Sequence, residues 1–318
     1  MNKPTKIEMN GIKNIKIDKA YENFIKFCKV KNLSSATIEY YNGCWDKFLR
    51  FFQGDLQNID KNLIDNFKLS LQEDKNVSDI SVNTYLRGIR AILYYFMKLG
   101  YIEKFHIKIS KAEKKIKETY TDAELIILLK KPNIKKCTFD EYRDWVIINF
   151  FMSTGCRSRT LCNIKIKDLD LDSGIVLFTT TKNKKQQIVP LNEQICLILQ
   201  EYLTYRQAED EEEYLFVSIY GEQLNANSLG HSIKDYNNRR GVMKQGIHLF
   251  RHTFAKKWIQ NGGNMFSLQK ILGHSTLDMV KEYVNLFSED VRRDYDKYNP
   301  LQQFYQKNYI NMKKGGKK

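Results

Sequence analysis

The sequence predicts a mainly α-helical protein with a small antiparallel β-sheet, divided between two domains. Three observations support this fold class. The chain of 318 residues exceeds the usual size of one domain. Apolar residues recur at intervals of three and four over most of its length, and only two short runs are rich in β-forming residues. With 42% hydrophobic residues, 13% aromatic residues and four prolines, the composition can fill two cores.

The first hundred residues have the periodicity of four helices. The last of these carries one apolar stripe and ends at Gly100, a residue type that favours a C-terminal stop. The stripe consists of Val82, Tyr85, Leu86, Ile89, Leu93 and Phe96. Earlier helices are predicted near 18–31, 35–53 and 60–74, with N-caps at Ser34 or Ser35 and at Asp60. Residues 18–102 should therefore form a compact four-helix domain, preceded by a basic arm at 1–17.

A lysine-rich segment, 103–118, separates this domain from a second one at 119–287. The segment has six lysines and lacks an apolar stripe, so we interpret it as a linker. A capping box, Thr121 to Glu124, opens the second domain. A buried helix is predicted at 142–153, and two strands at 175–180 and 187–191 flank a lysine-rich turn. Further helices are predicted at 192–206, 227–238, 248–261, 266–272 and 275–286.

The charge of the chain favours a polyanionic partner. Lys and Arg number 52 against 37 Asp and Glu, which gives a net charge of +15 and a pI near 9.3. Simple solubility is the alternative explanation. Lysines concentrate in the arm, in the linker and at the end of the chain, whereas the acidic run 209–213 is expected to be a solvated loop facing away from a polyanion.

Several classes of protein are disfavoured by what the sequence lacks. It has no run of about 18 apolar residues and no apolar stretch behind its first lysines, so neither membrane insertion nor secretion is expected. The six cysteines form no CxxC pair and are interpreted as reduced thiols in a cytoplasm. They are Cys28, Cys44, Cys137, Cys156, Cys162 and Cys196.

Metal-dependent phosphoryl chemistry is disfavoured as well. The sequence contains no phosphate-binding GxxxxGK[ST] loop, no HExxH motif and no cluster of carboxylates arranged like a two-metal nuclease site. His248 and His252 are one helical turn apart, but two histidines without a third ligand are usually coincidence. We therefore predict no metal site.

Five basic or phenolic residues are candidates for a phosphate site. His248 and Arg251 fall on one helix face, with Phe250 and Phe254 on the other. The remaining candidates are Arg157 after Gly155, His274 in a glycine-containing joint between helices, and Tyr283 nine residues later. Taken singly, each is more often a surface arginine, a satisfied histidine or a half-buried tyrosine. Their order along the chain is the informative feature.

This order resembles the tyrosine recombinases, the phage-integrase and Xer-type family. Residues 119–287 are similar to its catalytic domain, and residues 18–102 to its helical, SAM-like core-binding domain. The family's succession of catalytic residues maps onto Arg157 in TGCRSRTL, Lys182 in TTKNKKQQIVPL, His248 and Arg251 in HLFRHTFA, His274 in LGHS, and Tyr283 in MVKEYVN. Lys184 and Lys185 share the turn with Lys182, and counting back from Val189-Pro-Leu favours Lys182.

One position departs from the family pattern. The family usually has an acidic residue three positions after the first arginine, and this chain has Thr160 there. A threonine cannot form the ion pair that would hold a neighbouring arginine in place. The departure concerns the support of the site rather than the identity of its residues.

The resemblance implies cleavage and rejoining of DNA through a 3′-phosphotyrosyl link, without metal or ATP. Tyr283 would be the nucleophile, Lys182 the general acid, and the two arginines would bind the phosphate that gains negative charge. Candidate DNA contacts in the helical domain are Lys47, Arg50, Arg87, Arg90 and Lys98, of which Arg87 and Arg90 are the first candidates for the major groove.

The implied partners are double-stranded DNA with specific recombination sites and three further copies of the chain, in a tetramer on DNA. The resemblance places the segment 288–318 on a neighbouring protomer, although packing on its own domain fits the sequence equally well. We expect an integrase of a bacterial mobile element, cytoplasmic and nucleoid-associated, because no arm-binding domain precedes residue 18 and TGCRSRTL differs from Xer chains. A type IB-like topoisomerase and a decayed DNA-binding protein are the alternatives.

Overall fold

A computed structural model describes residues 15–109, 118–181, 185–274, 276–277 and 280. The chain divides into two units, residues 1–115 and residues 116–318. We call them the helical unit and the catalytic unit. In the described residues the helices and the single sheet match the predicted fold class, a mainly α-helical protein with a small antiparallel sheet.

The helical unit contains four helices. They are α1 (Ile17–Val30), α2 (Ser35–Phe51), α3 (Lys61–Glu73) and α4 (Asp79–Leu99). Ser34 is the N-cap of α2 and accepts the backbone N–H of Thr37, and Asp60 caps α3 in the same manner. Gly100 ends α4 with φ of 72°, in the left-handed region that glycine adopts without strain.

Close packing of α2 against α4 depends on a second glycine. A Cβ atom at Gly88 would lie 2.5 Å from the Sγ atom of Cys44, so only a residue without a side chain fits there. The stripe predicted for α4 is buried, apart from the half-buried Tyr85. Phe24, Trp45, Phe48 and Phe67 complete an aromatic core from the other three helices.

The catalytic unit is arranged around one helix that is buried on nearly every side. This helix, which we label α6 (Phe139–Thr154), packs against the elements before and after it in the chain. The other helices are α5 (Asp122–Leu129), α7 (Ser158–Leu161), α8 (Glu193–Arg206), α9 (Ala226–Arg239), α10 (His248–Gln260) and α11 (Met265–Leu272). The short helix α7 has no counterpart in the sequence prediction, and the predicted helix 275–286 lies almost wholly outside the described residues.

A three-stranded antiparallel sheet in the order β1-β2-β3 lies beside the helices. Strand β1 is Leu169–Asp170, β2 is Ile175–Phe178 and β3 is Gln187–Pro190. The two longer strands fall within the predicted runs, and Val176 and Val189 form a buried pair on the core face. The register pairs Phe178 with Gln187, so residues 179–186 connect the two strands.

In the acidic run, residues 209–212 are exposed and Glu213 is half-buried, and the run is not merely solvated. Glu212 forms ion pairs with Lys165 and Lys167, and Glu213 forms one with the buried Arg206. These pairs attach the run to neighbouring elements of the catalytic unit. Within the described part of the chain, no helix is long and apolar enough to cross a membrane.

Candidate active site

The first arginine of the site follows the end of α6. Gly155 ends this helix with φ of 59°, and a Cβ there would lie 2.4 Å from the Phe254 ring of α10. Glycine therefore allows α6 and α10 to touch at this point. Two residues later, half-buried Arg157 occupies the N-cap position of α7. Burial lowers the pKa of Arg157, as expected for a cation partly removed from water.

Helix α10 supplies the second arginine from its buried side. Phe250, the residue before it, belongs to the hydrophobic core of the unit. Arg251 is only 6% exposed, and its guanidinium donates from Nη1 to the Gly155 carbonyl at 2.7 Å and from Nη2 to the Leu272 carbonyl at 2.7 Å. Its fork thus connects the end of α6 with the end of α11.

His274 lies in the joint that follows α11. Gly273 is left-handed, with φ of 59°, and turns the chain so that the His274 side chain is buried. The Nε2 atom of His274 is 2.8 Å from Nη2 of Arg251. Gln269 holds the joint through two bonds to the backbone of His274, one accepted by its carbonyl and one donated by its amide.

The Leu272 carbonyl is the point where the two arginines meet. It accepts the bond from Arg251 and a longer one, 3.5 Å, from Nη1 of Arg157. Two guanidinium groups and one imidazole are therefore gathered at the end of a single helix. Such a group of fixed donors can bind the non-bridging oxygens of a phosphodiester.

His248 begins α10, one helical turn before Arg251. Its pKa is lowered from the ordinary value, first by burial and then by the charges of Arg251 and Arg157. A lowered pKa keeps the imidazole neutral at pH 7, so a ring nitrogen can accept a proton. Burial and the two cations thus together keep a neutral base beside the proposed phosphate site.

The other two predicted catalytic residues, Lys182 and Tyr283, lie outside the described residues. The flanks of the lysine segment are described. The Oγ1 atom of Thr181 donates to the carbonyl of Lys185 and accepts its backbone N–H. Tyr283 follows Val280, which is buried with Phe254 and Leu272.

Thr160, at the position of the departure from the family pattern, is buried in α7. Among the described contacts, Arg157 and Arg251 are held by backbone carbonyls, and Arg251 also contacts Nε2 of His274. Among the residues that the structure describes, no group of three or more His, Cys, Asp or Glu side chains could hold a metal ion.

The predicted DNA contacts all lie on two helices of the helical unit. Arg50 on α2 and both Arg87 and Lys98 on α4 are exposed. Arg90 is half-buried, and Lys47 is held 3.5 Å from the carboxylate of Asp74. Nothing in the contacts of these five residues tests their predicted role.

Sequence reasoning missed two parts of the site. The Leu272 carbonyl has no signature in the sequence, because every residue carries one. The side chain of Gln187 contacts the end of α11 as well, donating to the carbonyls of Lys270 and Ile271. Its position at the start of a predicted strand gave no sign of this contact.

The two-unit fold and the pairing of Arg157 with Arg251 beside His248 and His274 define a tyrosine recombinase. Comparison with known proteins supports this class. The model of the phage integrase family matches residues 118–290, and that of the phage integrase N-terminal SAM-like domain matches residues 21–103. The chain therefore belongs to the phage integrase family, and the predicted resemblance is confirmed.

Curated relatives match over nearly their whole length. Tyrosine recombinase XerC of Thermodesulfovibrio yellowstonii is 27% identical over 291 residues, which cover 88% of this chain and 95% of the relative. Tyrosine recombinase XerD of Staphylococcus haemolyticus is 27% identical over 292 residues, covering 88% and 98%. The protein is accordingly a tyrosine-type site-specific recombinase, and neither the topoisomerase nor the decayed DNA-binding protein is favoured.

Solved structures share the fold. The Tn1549 transposon integrase in complex with a circular intermediate DNA has a TM-score of 0.71 at 19% identity, covering 89% of this chain and 99% of that one. A lambda integrase dimer bound to a core site has a TM-score of 0.70 at 15% identity, covering 85% and 95%. The helical unit followed by a catalytic unit is common to all three.

Proposed function

We propose that this recombinase cuts and rejoins double-stranded DNA at specific sites through a 3′-phosphotyrosyl link formed by Tyr283. The observation that carries the proposal is the meeting of Arg157, Arg251 and His274 at the end of α11, with a neutral His248 one turn before Arg251. These groups match the needs of a phosphodiester under attack, which gains negative charge on its non-bridging oxygens.

In the first step, the scissile phosphate binds against Arg157 and Arg251. Both guanidinium groups keep their charge at any working pH and present planar forks to the oxygens. His274 adds a hydrogen bond from the same side. Because Arg251 is anchored by two carbonyls, little reorganisation is needed as charge develops.

In the second step, the phenolic oxygen of Tyr283 attacks phosphorus and the bond to the 5′ oxygen breaks. The phenol proton passes to His248, whose lowered pKa keeps it available as a base. The departing 5′ oxygen takes a proton from Lys182, because an alkoxide is a poor leaving group. The energy of the broken bond is kept in the phosphotyrosyl link, so a 5′ hydroxyl of another strand can reverse the step and exchange partners.

The two units would bind the duplex together, with Arg87 and Arg90 of α4 reaching base edges. Lambda integrase has been solved as a tetramer bound to a Holliday junction. We extend this assembly to the present chain, with 288–318 docking on a neighbouring protomer. Removal of the residues after Pro300 tests the extension, since unchanged assembly on DNA would exclude a docking role.

The cellular role that we propose is integration of a mobile element, in a cytoplasmic protein associated with the nucleoid. The fold shared with the Tn1549 transposon integrase supports it. The enzyme should join two DNA molecules that bear its recombination sites. An enzyme that only relaxes supercoils needs no such sites. Recombination and supercoil-relaxation assays on the same plasmids separate the two activities.

The decisive experiment traps the covalent adduct on a nicked duplex in the presence of EDTA. Wild-type protein should accumulate a covalent protein–DNA adduct. Tyr283→Phe should give none, because it lacks the attacking oxygen. Adduct in the phenylalanine variant would reassign the nucleophile. Loss of wild-type adduct in EDTA, with recovery on adding a divalent ion, would contradict the metal-free mechanism.

A further inference from the structure

The side chain of Gln187 bridges two parts of the catalytic unit that are far apart in sequence. Its Nε2 atom donates to the Lys270 carbonyl at 2.5 Å and to the Ile271 carbonyl at 2.8 Å. Gln187 is the first residue of β3, and both carbonyls belong to the last turn of α11. The last carbonyls of a helix have no partner within it. Here Gln187 supplies donors to both carbonyls, and the Lys270 carbonyl also accepts the backbone N–H of Gly273.

The joint after α11 is shaped to receive this side chain. A Cβ atom at Gly273 would lie 2.6 Å from the Oε1 atom of Gln187, so a side chain at this position would displace the amide of Gln187. Gly273 therefore serves two purposes, since its φ of 59° also favours glycine. Gln187 itself is half-buried.

The same helix end carries the phosphate-binding groups. The carbonyl that follows those of Lys270 and Ile271 is that of Leu272, which accepts the bonds from Arg251 and Arg157. Three successive carbonyls are thus fixed by side chains from other elements. His274 follows two residues later, and its Nε2 atom is 2.8 Å from Nη2 of Arg251.

The backbone of Gln187 belongs to strand β3, which directly follows the lysine-rich turn between β2 and β3. Lys182 lies five residues before it, and Thr181 and Lys185, on either side of 182–184, are hydrogen-bonded to each other. Phe178 pairs with Gln187 across the sheet. The amide of Gln187 therefore connects the base of this segment directly to the helix end that holds the arginines.

We propose that Gln187 is a positioning residue that keeps the general acid in register with the phosphate site. The proposal rests on the proposed function of Lys182. The arginines bind the non-bridging oxygens and the acid must reach the 5′ bridging oxygen of the same phosphate, so the separation of the two groups decides whether the proton arrives as the bond breaks. Gln187 would set that separation.

The test uses two substrates and the variant Gln187→Met, which keeps the length of the side chain and removes its donor. On an ordinary nicked duplex, cleavage should slow about 10- to 100-fold, the scale expected for misplacement of a reacting group by about 1 Å. The second duplex has sulfur in place of the 5′ bridging oxygen. A thiolate, whose conjugate thiol has a pKa of about 8.5, leaves without a proton from the enzyme.

On the sulfur substrate, Gln187→Met should cleave at the wild-type rate, and so should Lys182→Ala. Gln187→Glu, which replaces the donor amide by a carboxylate facing two carbonyls, should behave like the methionine variant. The ratio of the two rates within one preparation is independent of the fraction of folded protein. Gln223→Met is the matched control, because Gln223 also donates to a backbone carbonyl of this unit, that of Cys162, and its ratio should equal that of wild type.

Two results would overturn the proposal, and they differ. If Lys182→Ala is rescued by sulfur and the Gln187 variants are equally slow on both substrates, Gln187 acts only on folding or on the phosphate groups. If Gln187→Met cleaves the ordinary substrate at the wild-type rate, the bridge has no role. Failure of Lys182→Ala itself to be rescued would instead remove the assignment of the general acid, and this inference with it.

Discussion

The two units of this protein differ in how many polar side chains they bury. Of the eleven polar or charged side chains that are buried among the described residues, only Asn83 belongs to the helical unit. The catalytic unit buries four charged or imidazole groups of particular importance, namely Arg143, Asp144, Arg251 and His274. None of the predicted DNA-binding cations of the helical unit is buried: Arg50, Arg87 and Lys98 are exposed, and Lys47 and Arg90 are half-buried over a core of aromatic and aliphatic residues.

This difference in burial indicates that the two units contact phosphates in different ways. A surface cation is fully hydrated and free to reorganise, which suits contact with many phosphates in succession. A buried guanidinium must be held by acceptors in fixed positions, which suits one phosphate at one moment of a reaction. Substitutions in the catalytic unit should therefore affect folding and chemistry, and those in the helical unit should affect DNA affinity.

The largest expected effect comes from the buried pair inside α6. Arg143 donates to Asp144 at 2.8 Å and to Ser232 of α9, and Asp144 is completely buried. Asp144→Ala would remove the buried partner of this guanidinium and leave only the exposed carboxylate of Asp140, 2.8 Å from Nη1, as its counter-charge. We expect the variant to lower the free energy of unfolding by about 3–5 kcal/mol. Urea denaturation of the two proteins measures this.

The matched surface pair in the helical unit is Lys47 with Asp74, whose side chains are both about a third exposed. Water already solvates these charges, so Lys47→Ala should cost only about 0–1 kcal/mol. Equal losses for this variant and Asp144→Ala would refute the proposed difference between the units.

The next effect concerns the chemistry. Arg251→Lys should slow single-turnover cleavage by about 10²- to 10³-fold, because one ammonium cannot reach the Gly155 and Leu272 carbonyls and the phosphate together. Arg90→Lys keeps the positive charge of a half-buried residue in the helical unit and should leave this rate unchanged on saturating DNA. A rate for Arg251→Lys within a few-fold of wild type would contradict the role of the guanidinium fork.

A smaller effect is expected from pH. The pKa of His248 lies below the ordinary imidazole value, so the base stays neutral and cleavage stays constant as pH falls to about 6.5. Below the lowered pKa the imidazole becomes protonated, and the rate should fall about tenfold per pH unit.

Rates of cleavage from pH 5 to 8 test this, with His248→Asn as a control whose low rate should lack the same decline. A midpoint above the ordinary imidazole pKa in wild type would contradict the lowering of the His248 pKa by burial and by the charges of Arg251 and Arg157.

The smallest effect belongs to the helical unit. Arg87→Ala and Arg90→Ala should each weaken DNA binding and reduce the slope of log affinity against log salt by about one, as expected for loss of one phosphate contact, or cost about 1–3 kcal/mol for a base contact. Lys29→Ala, which removes an exposed charge from α1, provides the comparison. Titrations by fluorescence anisotropy at several salt concentrations would measure affinities and slopes, and variants in which both are unchanged would exclude Arg87 and Arg90 from the interface.

Sequence patterns predicted the elements that depend on neighbours in the chain. The stripe from Val82 to Phe96 predicted α4, and Thr121 with Glu124 predicted the capping box that both side chains form. Three- and four-residue spacing also placed His248 and Arg251 on one turn of α10. These features depend on local geometry, which repeats along the chain and leaves a periodic signal.

Other features left no such signal. The acidic run was interpreted as solvated, yet Glu212 pairs with Lys165 and Lys167, more than forty residues away. Gln187 contacts carbonyls more than eighty residues away. A contact with a backbone carbonyl does not depend on the type of residue that carries it, so no motif can mark it.

The amino-acid sequence by itself determined that this protein has a helical unit followed by a catalytic unit, and which residue types stand in the order of a tyrosine recombinase. Only the tertiary structure decided that Arg251 would be held between the ends of α6 and α11, and that Gln187 would complete the second of these ends. The physical reason is that periodicity and capping act over one or two helical turns. The partners of a buried polar group are chosen by whichever elements pack around it.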